Sequence, residues 1–366
     1  MNECVAQGFC GARIGPRSVR HPAAGGILAQ AARPRGKQGP RGRRFRGQAV
    51  LPFSLIYHEG YDLNLGRHVF PGLKYRLIRW RLLEEGFARE EDFAEPTPAS
   101  DAELLLVHSS DWVRKLRSGA LTEQDLARLE IPCCQQTVEA FCLAAGGTIL
   151  AGRLALQRGI GFNLGGGFQH GFQEHGEGFC AVNDVAVAIR TLQREGSINT
   201  AMVVDCDVHH GNGTAAIFAA DDSVFTLSIH QAENYPFEKP PSDIDIPLPD
   251  RTDDVEYCAK LEVGLLSAFA QFHPDLLVYV AGADPYYQDQ LGGLALTFDG
   301  LWKRDLLVVG TALRLGSAVA VTLGGGYARH LLNTVTVHIN TVRVARQVLE
   351  EAGWRPGSSS RKARAG

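Results

Sequence analysis

The sequence of 366 residues has eight cysteines but no Cys-x-x-Cys pair. Cys4, Cys10, Cys133, Cys134, Cys142, Cys180, Cys206 and Cys258 mostly sit in apolar surroundings. That argues for reduced, buried thiols and against a disulfide framework or a Cys-type zinc site. No apolar run approaches the ~20 residues of a membrane span, so no membrane partner is expected. No internal repeat is present, and residues 50–354 contain no linker, so one large domain is expected there. Basic residues are scarce outside the N-terminus. The first 50 residues hold ten Lys or Arg and one acid, Glu3, which leaves 27 basic against 39 acidic residues in the remainder. An acidic body argues against a nucleic-acid-binding surface and is compatible with a cationic substrate.

The first 48 residues also lack any sustained hydrophobic period and are rich in Gly, Pro and Arg, which predicts disorder. Their Arg-rich, acid-poor composition resembles an organellar transit peptide, although Gly and Pro are high for an amphipathic one. A translation-start artefact or a plain tail fits at least as well, and the expected location is cytoplasmic. Residues 355–366 are polar and basic and predict a second disordered tail, leaving a folded domain at 49–354.

What is present within that domain alternates. Strands are expected at 51–57, 104–108, 201–204, 224–228, 276–280 and 318–323. Helices are expected at 75–85, 111–117, 134–157, 183–194, 254–269, 301–313 and 328–351. Strand–helix alternation means βαβ units and a mainly parallel sheet, an α/β fold of three layers. In the helix over 134–157, Gly146, Gly147 and Gly152 suggest close packing or a break.

The most informative stretch is Val203-Val204-Asp205-Cys206-Asp207-Val208-His209-His210-Gly211-Asn212-Gly213. An apolar run enters it, and Asp205, Asp207 and His209 follow at every second position. In extended backbone these three share a face. Carboxylates and an imidazole at the carboxyl end of a buried strand suit a divalent metal.

Three further loops set polar groups beside glycines: Gly165-Gly-Gly-Phe-Gln-His170, Ala281-Gly-Ala-Asp284 and Gly324-Gly-Gly-Tyr327. Each alone is weak, since a strand-ending Asp is more often a helix N-cap. The order and spacing of all four are specific. Together with Gly178-Phe-Cys-Ala-Val-Asn-Asp-Val-Ala-Val-Ala-Ile189, Ser228-Ile-His230, Ile244-Asp-Ile-Pro-Leu248 and Asp289-Gln-Leu-Gly-Gly293, they resemble the histone deacetylase family over roughly residues 52–345. Short loops and Asn212, where many members have Asp, are most similar to the class IV branch and its bacterial relatives.

The resemblance implies the arginase/deacetylase fold and a zinc-dependent amidohydrolase. It implies removal of an acyl group from lysine in a protein or from a small acylated amine such as an acetylpolyamine. Asp207, His209 and Asp284 match the metal ligands, for zinc or, on ligand type alone, iron. His170 matches the proton-transferring histidine, with Asn212 as its partner, and Tyr327 the donor to the substrate carbonyl oxygen. Asp205 matches a buried carboxylate behind the metal. Phe179, Gly178 and Gly325 match the substrate channel. Asp205, Asp207, His209, Ser228 and Ile229 match a potassium site. One departure stands out: Gln169 occupies the position of a second histidine. An amide cannot titrate near neutral pH, so an impaired, acyl-lysine-binding protein is the competing expectation. In the notional wild-type network, the Gln169 amide nitrogen donates to Asp205. A binuclear, arginase-like hydrolase is disfavoured, because carboxylates for only one metal are apparent.

Overall fold

The computed structural model describes residues 51–352, so the tails expected at 1–48 and 355–366 lie outside the described residues. The strands are β1 (Leu55–Ile56), β2 (Phe93–Ala94), β3 (Ile160–Asn163), β4 (Ala201–Asp205), β5 (Val224–Gln231), β6 (Ile244–Leu248), β7 (Leu276–Val280) and β8 (Ala318–Thr322). The helices are α1 (Lys74–Glu84), α2 (Asp101–Leu104), α3 (Ser110–Ser118), α4 (Glu123–Leu129), α5 (Gln135–Arg158), α6 (Asp184–Arg194), α7 (Asn212–Phe218), α8 (Asp254–Gln271), α9 (Phe298–Arg314) and α10 (Leu331–Glu351).

All eight strands form one parallel sheet in the order β2-β1-β3-β8-β7-β4-β5-β6. Helices sandwich it, as the expected three-layer α/β/α fold requires. Strands β4 and β7 are buried at every residue, which is why residues 201–204 and 276–280 read as unbroken apolar runs. Helix α5 packs on β3 and β8 beside α6, while α8, α9 and α10 pack side by side. Helix α5 is long and apolar enough to cross a membrane, but most of its apolar window is buried inside the protein, as a core helix should be. Its glycines serve close approach: a Cβ at Gly146 would collide with the Thr97 carbonyl.

Two expectations fail locally. Leu104 to His108 is not a strand. Ser100 and Glu103 form a reciprocal capping box that winds Asp101–Leu104 into helix α2 and runs on into a turn. Strand β3 is not apparent from the sequence, because Gly161 and Asn163 have poor strand propensity. Packing selects it: Gly161 lies so close to the Ala151 carbonyl of α5 that a side chain has no room. The expected strand at 51–57 shrinks to β1, paired with β2 and β3.

The topology brings four loops to one edge. Strands β3, β8, β7 and β4 are adjacent and parallel, so the loops starting near Gly165, Gly324, Ala281 and Cys206 leave the same end of the sheet. Arg304 on α9 secures two of them. Fully buried, it donates to the Gly282 carbonyl and, at 3.4 Å, to the Cys206 carbonyl, and it pairs with Asp305 at 2.8 Å. Asp305 in turn accepts from the Tyr279 hydroxyl at 2.6 Å. Removing one partner of a buried pair strands the other charge. Arg304→Met should therefore lower unfolding free energy by about 3–5 kcal/mol in urea titrations, and adding Asp305→Asn should recover part of the loss.

Candidate active site

Strand β4 ends at Asp205, and the chain turns rather than continuing extended. Asp205 Oδ1 accepts the Asp207 N–H at 3.0 Å, and Asp207 Oδ1 accepts the His209 N–H at 3.1 Å. The period-two alternation expected through His209 thus stops at Asp205, and side-chain-to-backbone turns aim the groups that follow. Asp284, from the loop after β7, accepts the Val208 N–H at 2.9 Å, and Gly325, from the loop after β8, donates its N–H to Asp207 Oδ2 at 2.7 Å. Three loops are thereby stitched together by backbone donors. Asp207, His209 and Asp284 converge, offering one ligand atom each within 4.8 Å of one another. His209 Nδ1 lies 3.0 Å from Asp207 Oδ1 and 3.4 Å from Asp284 Oδ2.

The donor set fits a divalent metal. Asp284 Oδ2 is buried and accepts no backbone N–H, with the His209 ring nitrogen 3.4 Å away. Burial and the Asp207 charge push the Asp284 carboxyl up to about 7, with His209 acting against them. Burial pulls on His209 in the opposite sense to the two carboxylates, whose hydrogen bonds and charges win and raise its imidazole to about 10. Two buried carboxylates thus share one proton-bearing ring, a balance that a cation would restore. Asp205 is raised well above the usual range by burial and the Asp207 charge. Behind the carboxylates lies Lys74, fully buried, donating to the Gly324 carbonyl at 2.8 Å and sitting 5.4 Å from the Phe70 ring centre. Burial lowers it to about 8, opposed by Asp284, Asp207 and Asp289.

His170 enters from the loop after β3. Its Nδ1 is 2.7 Å from Asn212 Oδ1, the partner expected from the sequence. Asn212 Nδ2 donates onward to Glu177 Oε1 at 2.7 Å, and the Tyr235 hydroxyl donates to the same oxygen at 2.9 Å. Burial, with the His209 charge, lowers His170 to about 4, while the Asn212 bond opposes this; the ring is neutral at pH 7. Gln169 differs from expectation. Its Nε2 lies 3.5 Å from His170 Nε2, and no bond to Asp205 forms. Gln169 Oε1 and Asp205 Oδ2 are both buried without partners. An amide fills the volume of the missing imidazole without matching its hydrogen-bond directions.

Tyr327 closes the other flank. Asp289 Oδ2 accepts the Tyr327 N–H at 2.6 Å while its Oδ1 holds the Leu291 and Gly292 N–H groups at 2.8 and 3.0 Å. Burial and the Asp207 and Asp284 charges raise the Tyr327 phenol far above its usual range, so it stays a donor. A cavity of about 160 Å³ is lined by His170, Gly178, Phe179, His209, Tyr235 and Tyr327 among others. Gly178 and Phe179, both at positive φ, form the centre of a tight turn closed by Glu177 and Cys180. Left-handed backbone is strained for an aromatic residue, and here it holds the Phe179 ring at the cavity wall. Gly325 does not line the cavity. It lies under the triad, where a side chain would strike the Asp284 carboxylate.

The residues matched to a potassium site meet at the ends of β4 and β5, where Asp205 pairs with Ser228 and Ile229 follows. The Ser228 hydroxyl lies 3.0 Å from His230 Nδ1. His210, His230 and Asp245 form a second group of metal-capable side chains, sharing no residue with the first. Within it His210 Nε2 is 3.1 Å from Asp245 Oδ1 and Asp245 Oδ2 accepts the Ser242 N–H, while His210 Nδ1 is buried without a partner. Glu177, Tyr235, Lys74 and Arg304 were not foreseen as site residues. Glu177 sits between two glycines but beside no strand end, the other three have no such motif, and only the fold brings the four in.

Residues 68–342 match the histone deacetylase domain. The chain is 41% identical over 299 residues to an uncharacterized protein of Picosynechococcus, covering 81% of this chain and 100% of that one. It is 32% identical over 289 residues to histone deacetylase 2 of Arabidopsis thaliana, covering 75% of each. The crystal structure of an HDAC homolog from Aquifex aeolicus superposes with a TM-score of 0.69 at 25% identity, covering 80% of this chain and 84% of that one. The domain match and the relatives agree with the sheet order and the clustered loops: the chain belongs to the histone deacetylase family of hydrolases, with the arginase/deacetylase fold.

Proposed function

We propose that the protein is a zinc-dependent deacylase of N-acylated amines, with acyl-lysine in protein as its foremost substrate. The observation that carries this is the convergence of Asp207, His209 and Asp284, with His209 lining an aromatic-walled cavity that His170 and Tyr327 also line. Those three side chains would hold the zinc, which supplies Lewis acidity and acidifies water when bound. Three protein ligands leave room for water and substrate.

The chain's own groups do the rest. His170, neutral and buried, takes the proton of the attacking water at Nε2 and returns it to the departing amine nitrogen. The Tyr327 hydroxyl, held in donor form, hydrogen-bonds the carbonyl oxygen as negative charge develops there. Phe179 and Tyr235 wall the acyl chain and exclude water. The products are a free amine and a carboxylate. Asp205, with a buried and unpartnered Oδ2 beside Ser228, supports the potassium assignment as a structural cation site. A fluorogenic panel of acetyl-lysine, longer acyl-lysine and acetylpolyamine substrates, with and without chelator, tests substrate class and metal dependence together.

The unsatisfied Gln169 Oε1 favours a second reading, an impaired enzyme that retains acyl-lysine binding. Gln169→His separates the two. If the native protein is an enzyme, this variant keeps or raises its turnover and His170→Ala is nearly inactive. If the native protein turns over no acyl-amine and Gln169→His does, the binding reading holds.

Asp207→Ala should abolish both tight zinc binding, read by elemental analysis, and activity; full zinc in the variant rules out this ligand assignment. Tyr327→Phe should lower kcat by about 10²–10³-fold, the range for one oxyanion donor, with far less change in substrate affinity. An unchanged kcat removes Tyr327 from the mechanism.

A further inference from the structure

We propose that Glu177 is a positioning residue that sets the tautomer of His170 through Asn212. The proposal rests on the reading of His170 as proton carrier.

The argument follows donors and acceptors one at a time. Glu177 is held as a carboxylate. Burial alone would raise it, but hydrogen bonds from His175, Asn212 and Tyr235 keep it down at about 2. A carboxylate only accepts. The Asn212 atom 2.7 Å from Glu177 Oε1 must therefore be the amide nitrogen. That leaves the amide oxygen facing His170 Nδ1 at 2.7 Å. An oxygen there accepts, so Nδ1 must carry the ring proton. His170 Nε2 is then the acceptor nitrogen, its lone pair met only by the long 3.5 Å contact from the Gln169 amide nitrogen, as a general base needs.

Remove the Glu177 carboxylate and the Asn212 amide loses the constraint on its orientation. Rotated by half a turn, it would present its NH₂ to Nδ1, and the ring proton would move to Nε2. In that state His170 cannot take a proton from water. A directly bonded Asp would enforce the right tautomer by itself. Asn212 cannot, because an amide offers both a donor and an acceptor, so a second group must choose between them.

Glu177 is built to hold its place. Its backbone exchanges two hydrogen bonds with Cys180, at 3.1 and 2.8 Å, across the turn formed by Gly178 and Phe179. The turn is pinned to the end of α4 by the bonds from Gly178 to the Arg128 carbonyl and from Phe179 to the Leu129 carbonyl. Tyr235 anchors the carboxylate from the other side, its hydroxyl at 2.9 Å and its ring 5.1 Å from that of His170. Gly178 makes this approach feasible, since a Cβ there would stand 2.7 Å from the Tyr235 hydroxyl.

The test uses the full-length, zinc-matched protein and its Glu177→Ala, Asn212→Asp and combined variants. Glu177→Ala should lower kcat by about 10²-fold, the low end of a general acid–base contribution, with KM rising by no more than about threefold. Asn212→Asp alone should also be impaired, because its carboxylate would face that of Glu177. The double variant should recover to within about tenfold of wild type, since the new carboxylate then accepts directly from His170 Nδ1. Losses that simply add in the double variant overturn the proposal. Imidazole ¹⁵N shifts give a readout independent of turnover: His170 should be protonated at Nδ1 in the native protein and lose that preference in Glu177→Ala. An unchanged tautomer also overturns it. If no variant hydrolyses any acyl-amine, the assigned reaction fails, while the shifts still decide whether Glu177 sets the tautomer.

Discussion

The structure turns on the burial of carboxylates at one edge of a parallel sheet. Asp205, Asp207, Asp284 and Asp289 are each at least nine-tenths buried, where an uncompensated charge is costly. The fold compensates mainly with backbone N–H groups. Asp207 N serves Asp205, His209 N and Gly325 N serve Asp207, and Val208 N serves Asp284. Leu291, Gly292 and Tyr327 N–H groups serve Asp289. Each carboxylate therefore ties down a loop, and the loops in turn hold the carboxylates. Lys74 and Arg304 add buried positive charge behind them, so the requirement for compensation reaches into α1 and α9.

This arrangement explains the glycines better than flexibility does. Side chains at Gly282 or Gly325 would strike the Asp207 or Asp284 carboxylates, so the Gly-rich strand ends are sites of close approach. The same constraint leaves one oxygen, Asp284 Oδ2, facing the triad with no backbone donor. An acceptor that the chain itself leaves unsatisfied, as it does both Asp284 Oδ2 and Asp205 Oδ2, is what a cation site requires.

The flank of the site follows a different logic. His170 is governed by neutral groups beside it and by a carboxylate one residue further out. The Asn212 bond opposes the lowering of the imidazole by burial and the His209 charge, and Asn212 in turn donates to Glu177. The Asn212 partner of His170 and the aromatic wall then share an anchor, because Asn212 and Tyr235 end on one oxygen of Glu177.

The α/β class, the mainly parallel sheet and the polar strand end Asp205 to His209 were legible in the sequence, whereas Asp284 joined Asp207 and His209 only through the family resemblance, and the structure brings the three together. Buried parallel strands need uninterrupted apolar runs, and polar residues directly after such runs have nowhere to sit but the sheet's edge. The order β3-β8-β7-β4 was not legible, since pairing between strands far apart in the chain leaves no local pattern. Nor was β3, whose Gly161 only makes sense against α5, or α2, where a capping box outweighed an apolar run. The pairing of Gln169 and the inward turn of Gly325 were decided by packing around a volume fixed by other loops. Glu177 shows the limit most clearly. In the sequence it is one acid between two glycines. Only the tertiary fold brings it against Asn212, 35 residues on, and Tyr235, 58 residues on, and hydrogen-bond direction then gives it a role that composition and spacing do not encode.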